Sequence, residues 1–243
     1  MLDKLCSKPN SRRWSNLPKW EDLPLFLQIV EVKPYYDVLK KHRIQMKLKR
    51  VFDVLFALIL LIILAIPMMI IAILIKIDSD GPVFYRQVRV TTYGNTFRIH
   101  KFRTMINNAD KVGSSVTTDQ DNRITKIGSK IRNARLDELP QLFDVLEGTM
   151  SFVGTRPEVV KYVEAYTEEM LATLLLPAGI TSEASIKFKD EAKILNSESD
   201  NDFIYIKKIL PQKMMWNLKE IKEFSLKKEI ALMWETIVAV NSK

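Results

Sequence analysis

Cysteine and histidine are almost absent. Cys6 is the only cysteine in 243 residues, and His42 and His100 are the only histidines. A single cysteine excludes an intrachain disulfide and a cysteine-rich zinc site, and it fits a reducing compartment. A histidine metal cluster or a Ser-His-Asp triad would have to use one of the two histidines, and neither stands in a recognisable catalytic context. Charge is missing too from one long stretch, "VLFALILLIILAIPMMIIAILI" (Val54 to Ile75). Elsewhere it is plentiful: 37 Lys and Arg against 29 Asp and Glu give a formal net charge of +8. That excess implies an anionic partner without choosing among nucleic acid, acidic lipid and phosphorylated small molecules. With 47% hydrophobic residues, disorder of the whole chain is excluded, and the length suits one large domain or two small ones.

The uncharged run of about 22 residues is enough for roughly 30 Å of helix, the thickness of a bilayer core. It begins too far into the chain to be a signal peptide. Pro67 divides it into legs of about 13 and 8 residues, each shorter than the ~20 a crossing helix needs. The preceding flank, "KKHRIQMKLKR" (Lys40 to Arg50), is densely basic, and Lys76, Arg86 and Arg89 follow. Basic flanks favour the cytoplasmic side. If both flanks are cytoplasmic, the run enters and leaves by one face, as a helix-break-helix hairpin. Asp53, beside Arg50, would then lie at the membrane boundary, where an ion pair is tolerated.

Residues 1–47 read as an N-terminal extension broken by Pro9, Pro18, Pro24 and Pro34. It carries no visible chemistry and either packs on the remainder or lies on the membrane surface; Trp14, Trp20 and its basic content lean toward the latter. Residues 48–78 form the membrane segment and 79–243 a catalytic domain. "GPVFYRQVRV" and "TFRIHKF" predict two strands joined by a Gly94-Asn95 turn. Ser114 to Thr125 reads as a polar loop. The stretch "KIGSKIRNARLDELPQLFDVLEG" is expected to be mainly helical, with Leu136, Leu139, Leu142 or Phe143, and Leu146 on one stripe. Pro140 belongs in the first turn of a helix, which puts Asp137 and Glu138 at or just before the helix start. Further helices are predicted in "RPEVVKYVEAYTEEMLATLL", from Phe203 to about Ile221, and in the amphipathic "KKEIALMWETIVAV". The fold class expected is α+β, mainly helical, with a small β-hairpin.

An adjacent acid pair is usually just solvated. Here Arg132 and Arg135 precede it, Arg156 follows, and Lys101 and Arg103 stand at the end of the "HKFRTM" strand. Such cations suit a polyanionic phosphate substrate held by guanidinium forks. The carboxylates would then bind a divalent cation that screens the phosphates, or attack phosphorus directly.

The ordered motifs "KRVFD", the apolar run with Pro67, "GPVFYRQVRV", "HKFRTM", "DNRITKIGSKIR", "LDELPQLFDVLEGTMSFVGTRPE" and "AGIT" together resemble the bacterial sugar transferase family, the monotopic phosphoglycosyl transferases, over about residues 48 to 240. The resemblance implies transfer of a phosphosugar from a nucleotide diphosphate sugar, such as a UDP-sugar, to a polyprenyl phosphate at the cytoplasmic face of the bacterial inner membrane. It further implies a re-entrant helix, Mg²⁺ and a covalent aspartyl intermediate. Asp137 would be the nucleophile and Glu138 a metal ligand or base, so both are candidates for catalysis and for the metal. Lys101, Arg132 and Arg156 match phosphate-contacting positions. Lys189 falls where the family has an arginine, which keeps a cation but loses a bidentate fork. Thr155 and Asn122 replace frequent prolines. Membrane lipids are expected partners, a homo-oligomer is left open, and nucleic acid is not expected because no binding motif is recognisable. The alternative is a membrane-anchored scaffold for glycan assembly in which Asp137 and Glu138 are structural.

Overall fold

The computed structural model describes residues 14–109, 121–189 and 201–241. Most of the expected Ser114 to Thr125 loop lies outside them. In chain order the elements are α1 (Lys33–Lys41), α2 (Arg43–Asp78), β1 (Phe84–Val90), β2 (Thr96–Phe102), α3 (Lys126–Asn133), α4 (Gln141–Glu147), β3 (Met150–Val153), α5 (Val160–Val163), β4 (Ala178–Thr181), α6 (Glu183–Lys187), α7 (Asn201–Ile204), α8 (Leu210–Lys222) and α9 (Leu226–Asn241). Helix dominates, and the strands form two small sheets. This is the mainly helical α+β class that the sequence predicts.

Helix α2 holds the fold together. Its 36 residues correspond to about 54 Å at 1.5 Å per residue. The break expected at Pro67 is not found: the proline sits inside an uninterrupted helix. Proline removes one N–H from the ladder, and the apolar turns on both sides keep the rest. Met46, Lys49, Asp53, Ala57, Met68, Ile71 and Ile75 are buried, and Leu61 and Leu64 pack against the same cores between them. Their spacing of three and four residues makes one helical stripe. The stripe touches Leu142, Val145 and Met150 in its first half and Phe102 and Ile131 in its second.

The opposite face is exposed and apolar. Between Leu55 and Ile77, eleven large hydrophobic side chains are exposed, including Ile62, Ile66 and Ile77. At roughly 1–2 kcal/mol forgone for each, water would be a poor solvent for this face by an amount on the order of 10–20 kcal/mol. An exposed apolar patch of that size marks a membrane or partner surface. One 18-residue window reaches a mean hydropathy of 3.4, so the helix is long and apolar enough to cross a membrane.

Polar bonds fix both ends of α2. Arg50 donates to the carbonyls of Val145 (2.5 Å) and Leu146 (2.8 Å), capping the last turn of α4. Asp53 accepts from Ser151 at 2.8 Å and lies 3.9 Å from Lys49; its ion pair is therefore with Lys49, one turn back, while Arg50 is spent on α4. At the far end, Asp78 accepts from the Ile127 N–H at 2.9 Å, beside the Thr125 side chain that caps Gly128.

Residues 14–46 are part of the core rather than a membrane-surface arm. Trp14, Leu27, Tyr35, Tyr36 and Leu39 are buried with Leu171, Leu175, Leu218 and Ile221. The β1–β2 hairpin forms as predicted, with Phe84 opposite Phe102 and Val90 opposite Thr96. Its turn is longer than the expected dipeptide: Thr92–Gly94 forms a 3-10 turn with Tyr93 at φ 57°. β3 and β4 pair in parallel and were not foreseen. The helix expected from Arg156 to Leu175 is instead the short α5 and a buried 3-10 turn, Glu169–Leu175. Val159, Val160, Val163 and Thr167 are β-branched and weaken a continuous helix. The Phe203 to Ile221 helix forms with a π turn at Tyr205–Ile209, just before Pro211, whose missing N–H disturbs the ladder there.

Candidate active site

The acid pair is built on a strained turn. Arg135 adopts a left-handed conformation, φ 55°, immediately before the 3-10 turn Leu136–Glu138. Pro140 then serves as the N-cap of α4, so the acids stand one turn ahead of the helix rather than at its start. Left-handed backbone costs a non-glycine residue about 1–2 kcal/mol, and such strain is concentrated where side-chain placement matters.

Two elements converge on Glu138. Lys101, from the end of β2, donates to its Oε1 at 2.9 Å, and Arg156, from the loop after β3, donates to the same oxygen at 2.7 Å. The side chains of Glu138, Lys101 and Arg156 are 12%, 18% and 31% exposed. Burial alone would raise the Glu138 carboxyl, but Arg156 and Lys101 outweigh it and hold that group well below the usual carboxylate range. Burial in turn lowers the Lys101 ammonium, with Glu138 opposing.

Asp137 is in a different state. Among the described residues no hydrogen bond or ion pair reaches its carboxylate. Burial pushes it above the usual aspartate range and the Glu138 charge pushes it further; Lys101, Arg132 and Arg156 pull it back without cancelling the rise. Arg132, in the last turn of α3, therefore acts on Asp137 through space. Lys189 meets the site through its backbone carbonyl, which accepts from Arg135 at 3.5 Å.

Supporting contacts were invisible to sequence reasoning. His100 bonds Asp144 twice, backbone N–H to Oδ2 at 2.8 Å and Nδ1 to Oδ1 at 2.7 Å, which ties the strand of Lys101 to the helix that follows the acids. Asp144 is fully buried. Its position seven residues after Asp137, two helical turns on, was the one available signal. Arg89 donates to the Pro157 carbonyl at 3.0 Å, Val90 N–H to Glu158 O at 3.0 Å, and Tyr205 to the Glu158 carboxylate, so β1 and the π turn brace the loop of Arg156. Behind that loop β3 and β4 are almost in contact: a Cβ on Gly179 would lie 2.2 Å from the Gly154 nitrogen.

A cluster of cations around one acid, beside a second acid that none of them pairs, can bind a phosphorylated anion and attack it. As metal donors, Asp137 and Glu138 offer two adjacent carboxylates, and no group of three or more His, Cys, Asp or Glu converges among the described residues. That set fits Mg²⁺ held jointly by protein carboxylates and substrate phosphates, not an all-protein cage.

The pattern that defines the bacterial sugar transferase family matches residues 44–243. The chain is 37% identical over 165 residues to the UDP-N-acetylgalactosamine-undecaprenyl-phosphate N-acetylgalactosaminephosphotransferase of Aeromonas hydrophila, covering 66% of this chain and 39% of that one. To the UDP-glucose:undecaprenyl-phosphate glucose-1-phosphate transferase of Klebsiella pneumoniae it is 36% identical over 187 residues, 73% of this chain and 40% of that one. The chain thus spans well under half the length of both relatives. It is 30% identical over 207 residues to the exopolysaccharide production protein ExoY of Sinorhizobium fredii, 79% of this chain and 84% of that one. With a match over most of its length that includes every residue of the site just described, this chain belongs to the bacterial sugar transferase family.

Proposed function

We propose that this protein is a phosphoglycosyl transferase that moves a sugar-1-phosphate from a nucleotide diphosphate sugar to a polyprenyl phosphate through a covalent intermediate on Asp137. One observation carries the reading: Glu138 is bound by Lys101 and Arg156, while the Asp137 carboxylate beside it has no bonded partner among the described residues. A carboxylate that its surroundings stabilise less than usual is the better nucleophile of the two. Its oxygen attacks the β-phosphorus, the bridging P–O bond breaks, and the nucleoside monophosphate leaves with the electron pair. A polyprenyl phosphate oxygen then attacks the same phosphorus and releases the carboxylate. Arg156, Lys101 and Arg132 orient the diphosphate and balance its charge, and Glu138 holds the first two in place. Asp137 and the remaining Glu138 oxygen would hold Mg²⁺, which when bound offsets charge on the diphosphate.

The membrane arrangement follows the same reasoning. The stripe from Met46 to Ile75 packs on one body, with Arg50 and Asp78 bonded to it at opposite ends of the run. A helix held in that way supports entry and exit on one face, and the basic flank supports the cytoplasmic one. In a Cys6→Ser background, single cysteines at exposed positions before Arg43 and after Lys76 should label from the same side. Labelling from opposite sides would refute entry and exit on one face.

Intact mass after incubating detergent-solubilised protein with Mg²⁺ and a panel of UDP-sugars, without lipid acceptor, tests the chemistry. A phosphosugar-sized gain in the wild type, absent in Asp137→Asn, is expected. Release of nucleoside monophosphate only after polyprenyl phosphate is added, with no mass gain, would mean direct transfer instead.

A further inference from the structure

The face of the β1–β2 hairpin that carries Lys101 also carries a polar side chain that the mechanism does not use. Side chains alternate along a strand, so Tyr85, Gln87 and Arg89 share one face of β1, and Tyr85 stands directly opposite Lys101. Gln87 is opposite Ile99, on the next rung of that face. Gln87 and Lys101 are thus diagonal neighbours, a spacing of roughly 7–8 Å that long side chains can bridge. On the other side of Gln87 is Arg89, whose bond to the Pro157 carbonyl at 3.0 Å ties it to the residue after Arg156. Gln87 is therefore placed between the two cations that meet on Glu138.

Arg89 also decides which way Gln87 turns its amide. Its Nη2 donates to Gln87 Oε1 at 2.6 Å. A guanidinium has donors only, so the contact admits one orientation: the carboxamide oxygen turns to Arg89 and the NH₂ group away from it. That NH₂ group has no hydrogen-bond partner among the described residues, and on a half-buried side chain it is open to solvent. Arg89 is itself fixed. Its Nη1 is spent on Pro157, and burial lowers its guanidinium, with the Glu158 charge opposing and the Arg156 charge adding to the fall. What results is a neutral N–H donor, oriented before any ligand arrives, beside the cations of the site.

An N–H donor calls for an acceptor, and Lys101 and Arg156 on either side favour an anionic one. The diphosphate of a nucleotide sugar has more non-bridging oxygens than those two cations can meet while both stay on Glu138. A neutral donor serves one of them without setting another full charge against Arg156. We propose that Gln87 is a substrate-binding residue whose Nε2 donates to a phosphate oxygen of the nucleotide sugar, in the orientation that Arg89 imposes. The assignment rests on the transferase reading and adds to it a contact from β1, the strand that carries neither Asp137, Glu138 nor any of their partners.

Calorimetric titration of the detergent-solubilised full chain with a panel of UDP-sugars tests this, in an Asp137→Asn background so that no turnover occurs. Gln87→Glu is the decisive change, because its carboxylate still accepts from Arg89 while an oxygen replaces the N–H that meets the phosphate. Its Kd for the UDP-sugar should rise by more than about tenfold, since a hydrogen bond to a charged group is lost and a repulsion is added. Gln87→Met, with neither donor nor charge, should raise it about tenfold. If Gln87 served only to anchor Arg89, glutamate would do so equally well. An unchanged Kd in Gln87→Glu would therefore overturn the assignment and leave the aspartyl intermediate untouched. A parent that binds none of the UDP-sugars would overturn it together with the transferase reading. Titration with UMP assigns the oxygen: a loss shared by UMP places the contact on the α-phosphate, and a loss confined to the UDP-sugar places it on the β-phosphate.

Discussion

Replacing Glu138 by glutamine keeps the shape of the side chain and removes the charge that Lys101 and Arg156 share. Removing one partner of a fully buried ion pair costs about 3–5 kcal/mol, whereas an exposed pair is worth about 0–1 kcal/mol. The three side chains are 12–31% exposed, so the loss should be about 2–3 kcal/mol. For a chain of this size that is a fall in Tm of roughly 5–10 °C. The pH dependence has a definite sign. A carboxyl whose folded pKa is depressed contributes all its stability above its unfolded value, about 4.3 for glutamate, and loses it as pH falls through the depressed folded value. The Tm gap between wild type and Glu138→Gln should thus be flat from pH 6 to 8 and close only below about pH 4.3. Thermal unfolding followed by circular dichroism in detergent reads both quantities. A gap under about 1 °C at pH 7, or one that widens on acidification, would refute the argument that this carboxylate is held ionised by its two cations.

Three other outcomes follow from the same geometry. Because burial and Glu138 raise the Asp137 carboxyl, the acid limb of kcat/KM should lie above the ordinary aspartate value of about 3.9, and in Glu138→Gln it should move to lower pH; an unmoved limb would show that another group controls it. Arg50→Ala removes two bonds to the last carbonyls of α4 and should cost about 2 kcal/mol, since each is charge-assisted but only half-buried; thermal unfolding reads the loss, and slower formation of the mass-shifted intermediate would show that α4 also positions Asp137. Gly179→Ala puts a Cβ 2.2 and 2.3 Å from the backbone N and O of Gly154, neither of which can swing aside, so a loss of more than about 3 kcal/mol is expected and near-ultraviolet circular dichroism should show it.

Legibility in the sequence followed from how local the cause was. Helix α2 was plain because 22 uncharged residues have few alternatives, and the β1–β2 hairpin because strand-like runs flank a glycine and join neighbours in the chain. β3 and β4 were missed: "MSFV" and "AGIT" are four residues each and mostly buried, so they show no alternation, and their pairing spans 28 positions from Met150 to Ala178. Pro67 misled because proline propensity was weighed without the packing that holds the turns around it. At the site, the acid pair and its cations were legible as residues, and the motif resemblance gave them their separate roles. What no motif states is that Lys101 and Arg156 share one oxygen of Glu138, nor that His100 and Asp144 brace the strand to the helix, because each of those side chains is unremarkable until the chain is folded.

Helix α2 has a further consequence for how the molecule is made. Its buried stripe is part of two cores, Arg50 closes the end of one helix near the acids, and Asp78 opens the start of another. Deleting residues 43–78 to obtain a water-soluble enzyme would strip both cores of a wall and leave helix ends on either side of Asp137 without their caps. The helix whose outer face is apolar is thereby also a wall of the cores around Asp137, so the segment that makes the chain poorly soluble is one the site cannot lose.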